Sequence, residues 1–221
     1  MTNSERLYDA AMRLPVIACD LFFLVLELRS MRSIVALHPY FGGDIPFLIT
    51  IASRSAILIF LAVCIAFSVA RYRPIGKYAK LYPKIVALAG MLFTLIILMT
   101  PRATHAVFWD GLSTVLILAG TIASVLVVFH LGRSLSVMPE ARKLVTAGPY
   151  ARIRHPLYLA EEITVLGIFL QFRSWQGLLI LAVHFYLQIR RMDYEEGILG
   201  KSFPEYAEYK ERTSRLIPGV Y

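Results

Sequence analysis

Basic and turn-forming residues cluster in one segment, Lys143–Tyr158, which reads KLVTAGPYARIRHPLY. Gly148-Pro149 and His155-Pro156 are turn signals, and a proline suits the first turn of the helix that follows it. Arg152, Arg154 and the histidine would then lie at a helix amino end, where free backbone N–H groups and the helix dipole attract anions. The segment predicts a cationic corner, although arginines beside a membrane span also serve as orientation signals.

A second charged segment, Gln188–Glu196, reads QIRRMDYEE. On a helix, Arg191 and Glu195 are four residues apart and share a face, while Glu196 lies about 100° around the axis. Two interpretations stay open. The pair is either an ordinary exposed ion pair worth about 0.3–0.5 kcal/mol, or a cation and an anion presented to a pocket formed with the Arg152–Tyr158 segment.

Two further sets of polar residues flank these segments. Glu161 and Glu162 would cost about 2.5–3.5 kcal/mol each if they faced lipid, so we expect them to face the interior or the cytoplasmic mouth. The tail Phe203–Arg212 alternates aromatic and charged residues and predicts an interfacial helix. Its Tyr206 and Tyr209 either cap the site or lie among lipid headgroups, and the pattern favours the headgroups.

The composition indicates the kind of scaffold that must position these residues. Of the 221 residues, 57% are apolar and 17% charged, against about 45–50% and 25% in soluble domains. The apolar excess excludes a disordered chain, and two cysteines exclude a disulfide-stapled secreted fold. We therefore predict an integral membrane protein with six apolar stretches: Leu14–Leu28, Pro46–Ala70, Ile85–Thr100, Gly111–Gly132, Leu157–Phe172 and Trp175–Ile189.

The predicted fold class is an all-α membrane bundle of about six transmembrane helices, with a cytoplasmic carboxyl-terminal helix. The last two stretches are short, and only Arg173-Ser174 separates them, so they predict a tight helical hairpin. This hairpin returns Pro156 and Arg191 to the same membrane face. We expect one domain, residues 1–221, with scaffold helices in 1–132 and the cofactor-binding, catalytic half in 133–221.

Charge predicts the orientation. The loop Arg71–Lys84 holds five basic residues and no acid, and the segment Arg133–His155 is also basic. The positive-inside rule places both loops, the two termini and the site in the cytoplasm. Arg29 and Arg32 would then lie on the opposite side of the membrane, which weakens the prediction of the first span. The formal charge of +8 is explained by attraction to membrane lipid, so no nucleic-acid partner is predicted.

Several chemistries have no motif in the sequence. HExxH, CxxC and dense His/Cys clusters are absent, so no metal is expected. GxGxxG after a strand, GxSxG and GK[ST] loops are absent as well. An enzyme built on this chain would have to bind its cofactor with helices and loops at the membrane face.

The string LVTAGPYARIRHPLY, the short hairpin, RxxxEE at Arg191–Glu196 and the following FPEYxxY resemble the isoprenylcysteine carboxyl methyltransferase family. The wider group includes membrane phospholipid N-methyltransferases. The resemblance covers about the last 80 residues. It implies S-adenosylmethionine (AdoMet) as methyl donor, bound between the RHPxY segment and the EE helix, and a lipophilic or prenylcysteine-like acceptor entering from the membrane.

Carried over by position, the resemblance implies Arg191 as the catalytic residue that holds an acceptor carboxylate. It implies cofactor contacts from Leu144, Val145, Tyr150, His155, Pro156, Leu157, Tyr158 and Glu195, with Arg142, Arg154 and Glu196 as secondary candidates. Arg142 stands where eukaryotic members commonly carry histidine, and Ala160 replaces a glycine that often follows RHPxY.

Other functions stay open beside carboxyl methylation. Phospholipid N-methylation and thiol S-methylation use the same donor. A membrane sterol-type reductase shares an H-P-x-Y element, paired acids and a closing I-P-x-x-Y like Ile217–Tyr221, but it binds NADPH and needs a proton donor. A non-catalytic membrane protein with lipid-binding basic loops is the last alternative.

Overall fold

Helices form most of the computed structural model, which describes residues 3–40, 43–93, 96, 97, 100 and 107–219. The longer helices in these ranges are α1 (Asn3–Ala36), α2 (Asp44–Ala70), α3 (Tyr82–Leu92), α4 (Val107–Leu131), α5 (Pro156–Phe172), α6 (Trp175–Ser202) and α7 (Tyr206–Arg212). Two short strands, β1 (Gly76–Lys77) and β2 (Glu140–Ala141), lie in the two basic loops. The predicted helical fold class is confirmed.

Local signals explain where the later helices begin and end. Helix α5 starts at Pro156, as predicted, with His155 in a non-helical conformation before it. Helix α6 starts after Ser174, whose Oγ accepts a hydrogen bond from the backbone N–H of Gly177 at 3.0 Å and caps the helix. It ends before Phe203, an extended residue because Pro204 follows.

The number of spans is the part of the prediction that is only partly supported. Among the described residues, two helices are long and apolar enough to cross a membrane, Phe47–Ala70 and Phe108–Ser134. Helix α1 carries Asp20 and Glu27 in its middle, and α3 has 11 residues. The rest of the predicted third span, up to Thr100, lies partly outside the described residues. About six spans therefore remain a prediction.

The carboxyl-terminal hairpin differs from the expected tight pair of short helices. Helix α6 has 28 residues, because the predicted sixth stretch continues without a break through the charged QIRRMDYEE segment. The Arg173-Ser174 turn joins α5 and α6 as predicted. However, α5 packs mainly on α4 and α6 mainly on α3, with fewer contacts between the two hairpin helices themselves.

Small residues explain why α5 prefers α4. A Cβ added to Gly120 would lie 2.7 Å from the backbone nitrogen of Thr164 and 2.8 Å from the carbonyl oxygen of Ala160. About two turns before Gly120 in α4, Ser113 Oγ donates a hydrogen bond to the carbonyl oxygen of Gly167 in α5 at 2.7 Å. Small side chains let two membrane helices approach closely enough for such contacts.

The two basic loops join at the end of the bundle where α2 and α4 finish. Strands β1 and β2 pair antiparallel, with Gly76 opposite Ala141. The backbone N–H of Tyr72 also donates to the carbonyl oxygen of Arg133 at 2.7 Å. Both loops therefore lie on one side of the molecule, as predicted; that this side is cytoplasmic stays a prediction.

Substituting Gly120→Ala should lower the free energy of unfolding by about 1–3 kcal/mol, because the added methyl group meets backbone atoms that cannot move aside cheaply. Thermal unfolding in detergent measures this effect. Gly111→Ala, in the same helix with no atom within 4 Å of the added Cβ, is the matched control and should be neutral or stabilising. Equal melting temperatures for the two variants would contradict the close α4–α5 contact.

Candidate active site

The carboxyl-terminal tail fixes the position of the histidine-bearing corner. The backbone N–H groups of Arg154 and His155 donate to the carbonyl oxygens of Ser214 and Arg215 at 2.9 and 3.1 Å. Ile153 and Ser214 form a parallel bridge. The segment before α5 is therefore held by the tail as well as by its own turn, and the sequence patterns did not indicate this pairing.

Glu196 on α6 is the charged centre that ties the corner to the acidic helix. One of its carboxylate oxygens lies 3.1 Å from His155 Nε2 and 3.1 Å from Arg154 Nε. The same oxygen is 3.2 Å from Arg215 Nε, and the other is 3.2 Å from Lys210 Nζ. The ion pairs of Glu196 join the start of α5, the end of α6 and the tail.

The environment of Glu196 favours its ionised form. Burial alone would raise the pKa of this carboxyl, but the contact with His155 and the positive charges of Arg215 and Arg154 outweigh the burial. The pKa of Glu196 therefore lies well below its ordinary value of 4.5. An ionised Glu196 keeps the corner in place at neutral pH.

Glu195, the other acid of the pair, points elsewhere. Tyr158 donates its hydroxyl proton to Glu195 Oε2 at 3.1 Å, and His155 Nδ1 lies 3.9 Å from the same oxygen. The Glu195 side chain is 37% exposed, whereas that of Glu196 is 10% exposed. The two neighbouring carboxylates thus have different surroundings: one is in an ion-pair cluster, the other borders an open space.

That space is a cavity of about 50 Å³ between the corner, the acidic helix and α7. Its lining includes seven of the residues predicted from sequence: Arg142, Leu144, Val145, Tyr150, Arg154, His155 and Glu195. The sequence-predicted residues Pro156, Leu157, Tyr158, Arg191 and Glu196 are not part of this lining. Pockets for small molecules measure about 300–1,000 Å³, so a nucleoside-sized ligand requires the walls to move outward.

The remaining wall residues were not predicted from sequence. Leu131, Ser134, Ser136, Met138, Glu140, Lys143 and Leu199 contribute to it, together with Tyr206 and Tyr209. Most of them lie between α4 and the GPY turn, in a stretch without periodicity or a motif. Among them Glu140 carried a signal, since it lies two positions before the predicted Arg142 and opposite charges next to a span invite an ion pair; the two side chains are 2.6 Å apart and buried.

The preferred interpretation of the tail tyrosines was wrong. Tyr206 and Tyr209 are each 3% exposed and line the cavity, so they cap the site and do not lie among headgroups. Tyr209 donates its hydroxyl proton to the carbonyl oxygen of Tyr150 at 2.8 Å. Burial, together with the charge of Glu195, raises the pKa of the Tyr150 hydroxyl. The sequence pattern predicted the wrong location because an alternation of aromatic and charged residues is common to interfacial helices and to helices that cap a site.

Arg191 lies behind the cavity, between α3, α5 and α6. Its Nη1 donates to Gln188 Oε1 at 2.6 Å, and its guanidinium carbon lies 4.9 Å from the centre of the Tyr158 ring. Gly90 leaves the room for it, because a Cβ there would meet the Arg191 side chain. No Arg191–Glu195 ion pair occurs in the described part of the chain, so the interpretation of these residues as an ordinary intrahelical ion pair was wrong.

The two glutamates of α5 avoid lipid, as expected. Glu162 is 7% exposed, and its Oε1 lies 3.0 Å from His184 Nε2 on α6. Glu161 is hydrogen-bonded to Gln188. These polar contacts link the first half of α5 to α6.

Gly148 is the residue on which the GPY turn depends. Its φ of +61° favours glycine, and a Cβ would lie 2.8 Å from His130 Nε2. The turn that it begins, Gly148–Ala151, carries Tyr150 into the cavity wall. The predicted Gly-Pro turn is thereby confirmed and has a function in positioning a lining residue.

Glu196→Gln should lower the melting temperature at neutral pH and remove part of its dependence on pH. A carboxyl whose pKa is depressed on folding stabilises the fold above its unfolded pKa, near 4.5, and this stabilisation is lost as the pH falls below that value. The difference in melting temperature between wild type and variant should therefore begin to narrow below about pH 5 and keep narrowing as the pH falls toward the depressed pKa of the folded state. The control is Glu208→Gln, because the Glu208 side chain is 77% exposed and its ion pair with Arg212 lies at the surface. A constant difference at all pH values would contradict the ion-pair account.

No group of three or more His, Cys, Asp or Glu side chains is placed to hold a metal ion within the part of the chain that the structure describes. The cavity offers another kind of chemistry. It combines a carboxylate at Glu195, cations at Arg142, Lys143 and Arg154, and apolar and aromatic surface. Such a set fits a ligand that carries both a positive and a negative group beside an aromatic ring.

Two known proteins are similar to part of this chain. The chain is 38% identical over 76 residues to the cobalt-zinc-cadmium resistance protein CzcN of Cupriavidus metallidurans, covering 34% of this chain and 35% of that protein. It is 34% identical over 80 residues to the nickel-cobalt-cadmium resistance protein NccN of Alcaligenes xylosoxydans xylosoxydans, covering 36% and 38%. The matches therefore span little more than a third of these relatives.

A family model described as phospholipid methyltransferase matches residues 110–206. This range holds most of α4, all of α5 and α6, and every site residue predicted from sequence. The second half of the chain is thus similar to a family of membrane methyltransferases related to the isoprenylcysteine carboxyl methyltransferases.

Proposed function

We propose that this protein transfers a methyl group from AdoMet to a lipophilic acceptor at the membrane surface. The observation that carries the proposal is the meeting of the RHPxY corner and the EE helix around one cavity. The range matched by the methyltransferase family contains both parts. We place the cavity on the cytoplasmic side, because both basic loops lie at that end.

Each part of AdoMet has a complementary group in the cavity wall. Glu195 would receive a positive group, either the ammonium or the neighbouring sulfonium. Arg142 and Lys143, with the His155 corner, would receive the carboxylate through charge-assisted hydrogen bonds. Leu144, Val145 and Tyr150 would contact the adenosine, and Pro156, Leu157 and Tyr158 would support the corner from behind.

AdoMet supplies an activated methyl group when bound, so the protein has no need of a metal or a strong base for an acceptor that is already ionised. The residues of the protein would position the methyl donor and shield it from water. Tyr206 and Tyr209 cover the cavity and exclude water, while the Glu196 cluster keeps His155 in place. The catalytic contribution would come mainly from proximity and orientation.

A carboxylate acceptor is the first candidate, because Arg191 can grip a carboxylate through two parallel N–H···O bonds. Arg191 Nε has no hydrogen-bond partner among the residues that the structure describes, and Nη1 donates a hydrogen bond to the neutral amide of Gln188. A lipophilic acid entering between α3 and α6 would meet this group beside Tyr158. This arrangement is the one expected for isoprenylcysteine-type carboxyl O-methylation.

A phospholipid amine is the second candidate, and the family match favours it. The acids of α5 could accept an amine, since no described residue is a hydrogen-bond partner of Glu162 Oε2. A thiol acceptor has no residue in its favour. The metal resistance in the names of the two relatives is stated of those proteins, and we assign no residue of this chain to it.

Glu195→Gln should raise the Kd for AdoMet by about tenfold or more, because a charge-assisted contact contributes about 1.5–3 kcal/mol. Calorimetric titration of the purified protein measures this change. Glu205→Gln, an exposed acid at the start of α7, is the matched control and should bind like the wild type. Unchanged affinity in Glu195→Gln would discard its role, and binding of NADPH in place of AdoMet would favour the reductase. Binding of neither would favour a non-catalytic protein.

Membranes that contain the protein should transfer label from methyl-labelled AdoMet to material that extracts with lipid. A carboxyl O-methyl product is a base-labile ester, so alkali should release volatile label. An alkali-stable product would exclude the ester and favour an N- or S-methyl product, and absence of labelled product would contradict methyl transfer to a lipid-soluble acceptor. Arg191→Lys should reduce transfer to an acid but leave AdoMet affinity unchanged, because a lysine loses the two parallel hydrogen bonds.

A further inference from the structure

A second concave surface, separate from the cavity, lies where the two apolar spans end. We call it the basic groove. It measures about 650 Å³, and ten residues line it: Arg13, Val69, Ala70, Arg71, Tyr72, Arg73, Ile75, Arg133, Arg142 and Lys143. Six of the ten are arginine or lysine, and no acid is among them.

The charge of the groove is only partly balanced by its surroundings. Asp9 forms ion pairs with Arg13 at 2.6 Å and Arg71 at 3.0 Å. Glu140 pairs with Arg142 at 2.6 Å. Two carboxylates thus face six cations, which leaves a formal excess of four positive charges. In the described part of the chain, no carboxylate pairs with Arg73, Arg133 or Lys143.

Unused hydrogen-bond donors are a second, independent observation. Among the described residues, no hydrogen-bond partner lies near the buried Nε atoms of Arg13, Arg71 and Arg142. The Arg71 and Arg142 side chains are 2% and 0% exposed, so a phosphate in the groove reaches these donors only when neighbouring side chains move aside. Such donors are costly to leave unmade, and guanidinium groups match the geometry of a phosphate.

The place of the groove decides which anion it fits. Val69 and Ala70 end the span Phe47–Ala70, and Arg133 lies at the end of the span Phe108–Ser134. The cations therefore lie where the hydrocarbon region gives way to headgroups. The apolar wall at Val69, Ala70 and Ile75 suits an acyl chain that continues from the headgroup.

We propose that the basic groove binds the phosphate of an anionic membrane lipid, with the acyl chains along the end of α2. The lipid would link α1, α2 and the two basic loops at their junction. Arg142 and Lys143 also line the cavity, so the bound lipid would lie next to the candidate active site. The proposal does not require the protein to be a methyltransferase.

Native mass spectrometry of the detergent-solubilised full chain, with no AdoMet present, tests the proposal. The probes are short-chain phosphatidylglycerol, the corresponding zwitterionic phosphatidylcholine, and inorganic phosphate as competitor. We expect saturable binding of phosphatidylglycerol, much weaker binding of phosphatidylcholine, and no displacement by phosphate at comparable concentration. Equal binding of the two lipids, or displacement by free phosphate, would overturn it.

The variants separate a built site from diffuse charge. The double variant Arg73→Gln with Arg133→Gln removes two cations that line the basic groove but not the cavity. It should raise the Kd for phosphatidylglycerol by about tenfold or more, given the usual effect of a basic residue near a membrane surface. Lys80→Gln with Lys201→Gln removes the same charge from exposed positions outside the groove. Equal loss in both double variants would overturn the proposal, and unchanged melting temperatures show that both proteins remain folded.

Discussion

The buried carboxylate of Glu196 is the constraint on which the rest of the site depends. It contacts groups from three separate segments: the Arg154 guanidinium and the His155 ring before α5, Lys210 in α7, and Arg215 in the tail. Removing water from one carboxylate is expensive unless several cations compensate it. The cluster thereby fixes where the corner and the acidic helix meet, and leaves the neighbouring Glu195 to border the cavity.

The membrane scaffold determines which residues can reach this cluster. Small residues on α4 and α5 allow the two helices to approach closely. This contact with α4 fixes the position of α5 and therefore of its amino end. Helix α6 packs on α3 and continues beyond the predicted span, which carries the EE pair out to the corner. Pairing of the basic loops then closes the cavity from the side of α4.

Sequence patterns predicted much of this arrangement, and the failures have physical reasons. The helix start at Pro156, the Gly148 turn and the approach of His155 to the EE pair depend on local backbone preferences and on one short connection, and such features are readable. The contacts of Arg191 and the capping by Tyr206 and Tyr209 depend on which neighbours lie across space. Nothing in the spacing of these residues distinguishes an ion pair from stacking on Tyr158, or a headgroup tyrosine from a buried one.

The central claim is that the corner and the acidic helix enclose the methyl donor. Ultraviolet cross-linking of labelled AdoMet to the full-length protein in detergent, followed by mapping of the labelled peptides, tests it most directly. The account predicts label within residues 144–158 and 191–209, and its loss when excess unlabelled AdoMet competes. Label confined to residues 1–132, or label that excess AdoMet leaves in place, would contradict it.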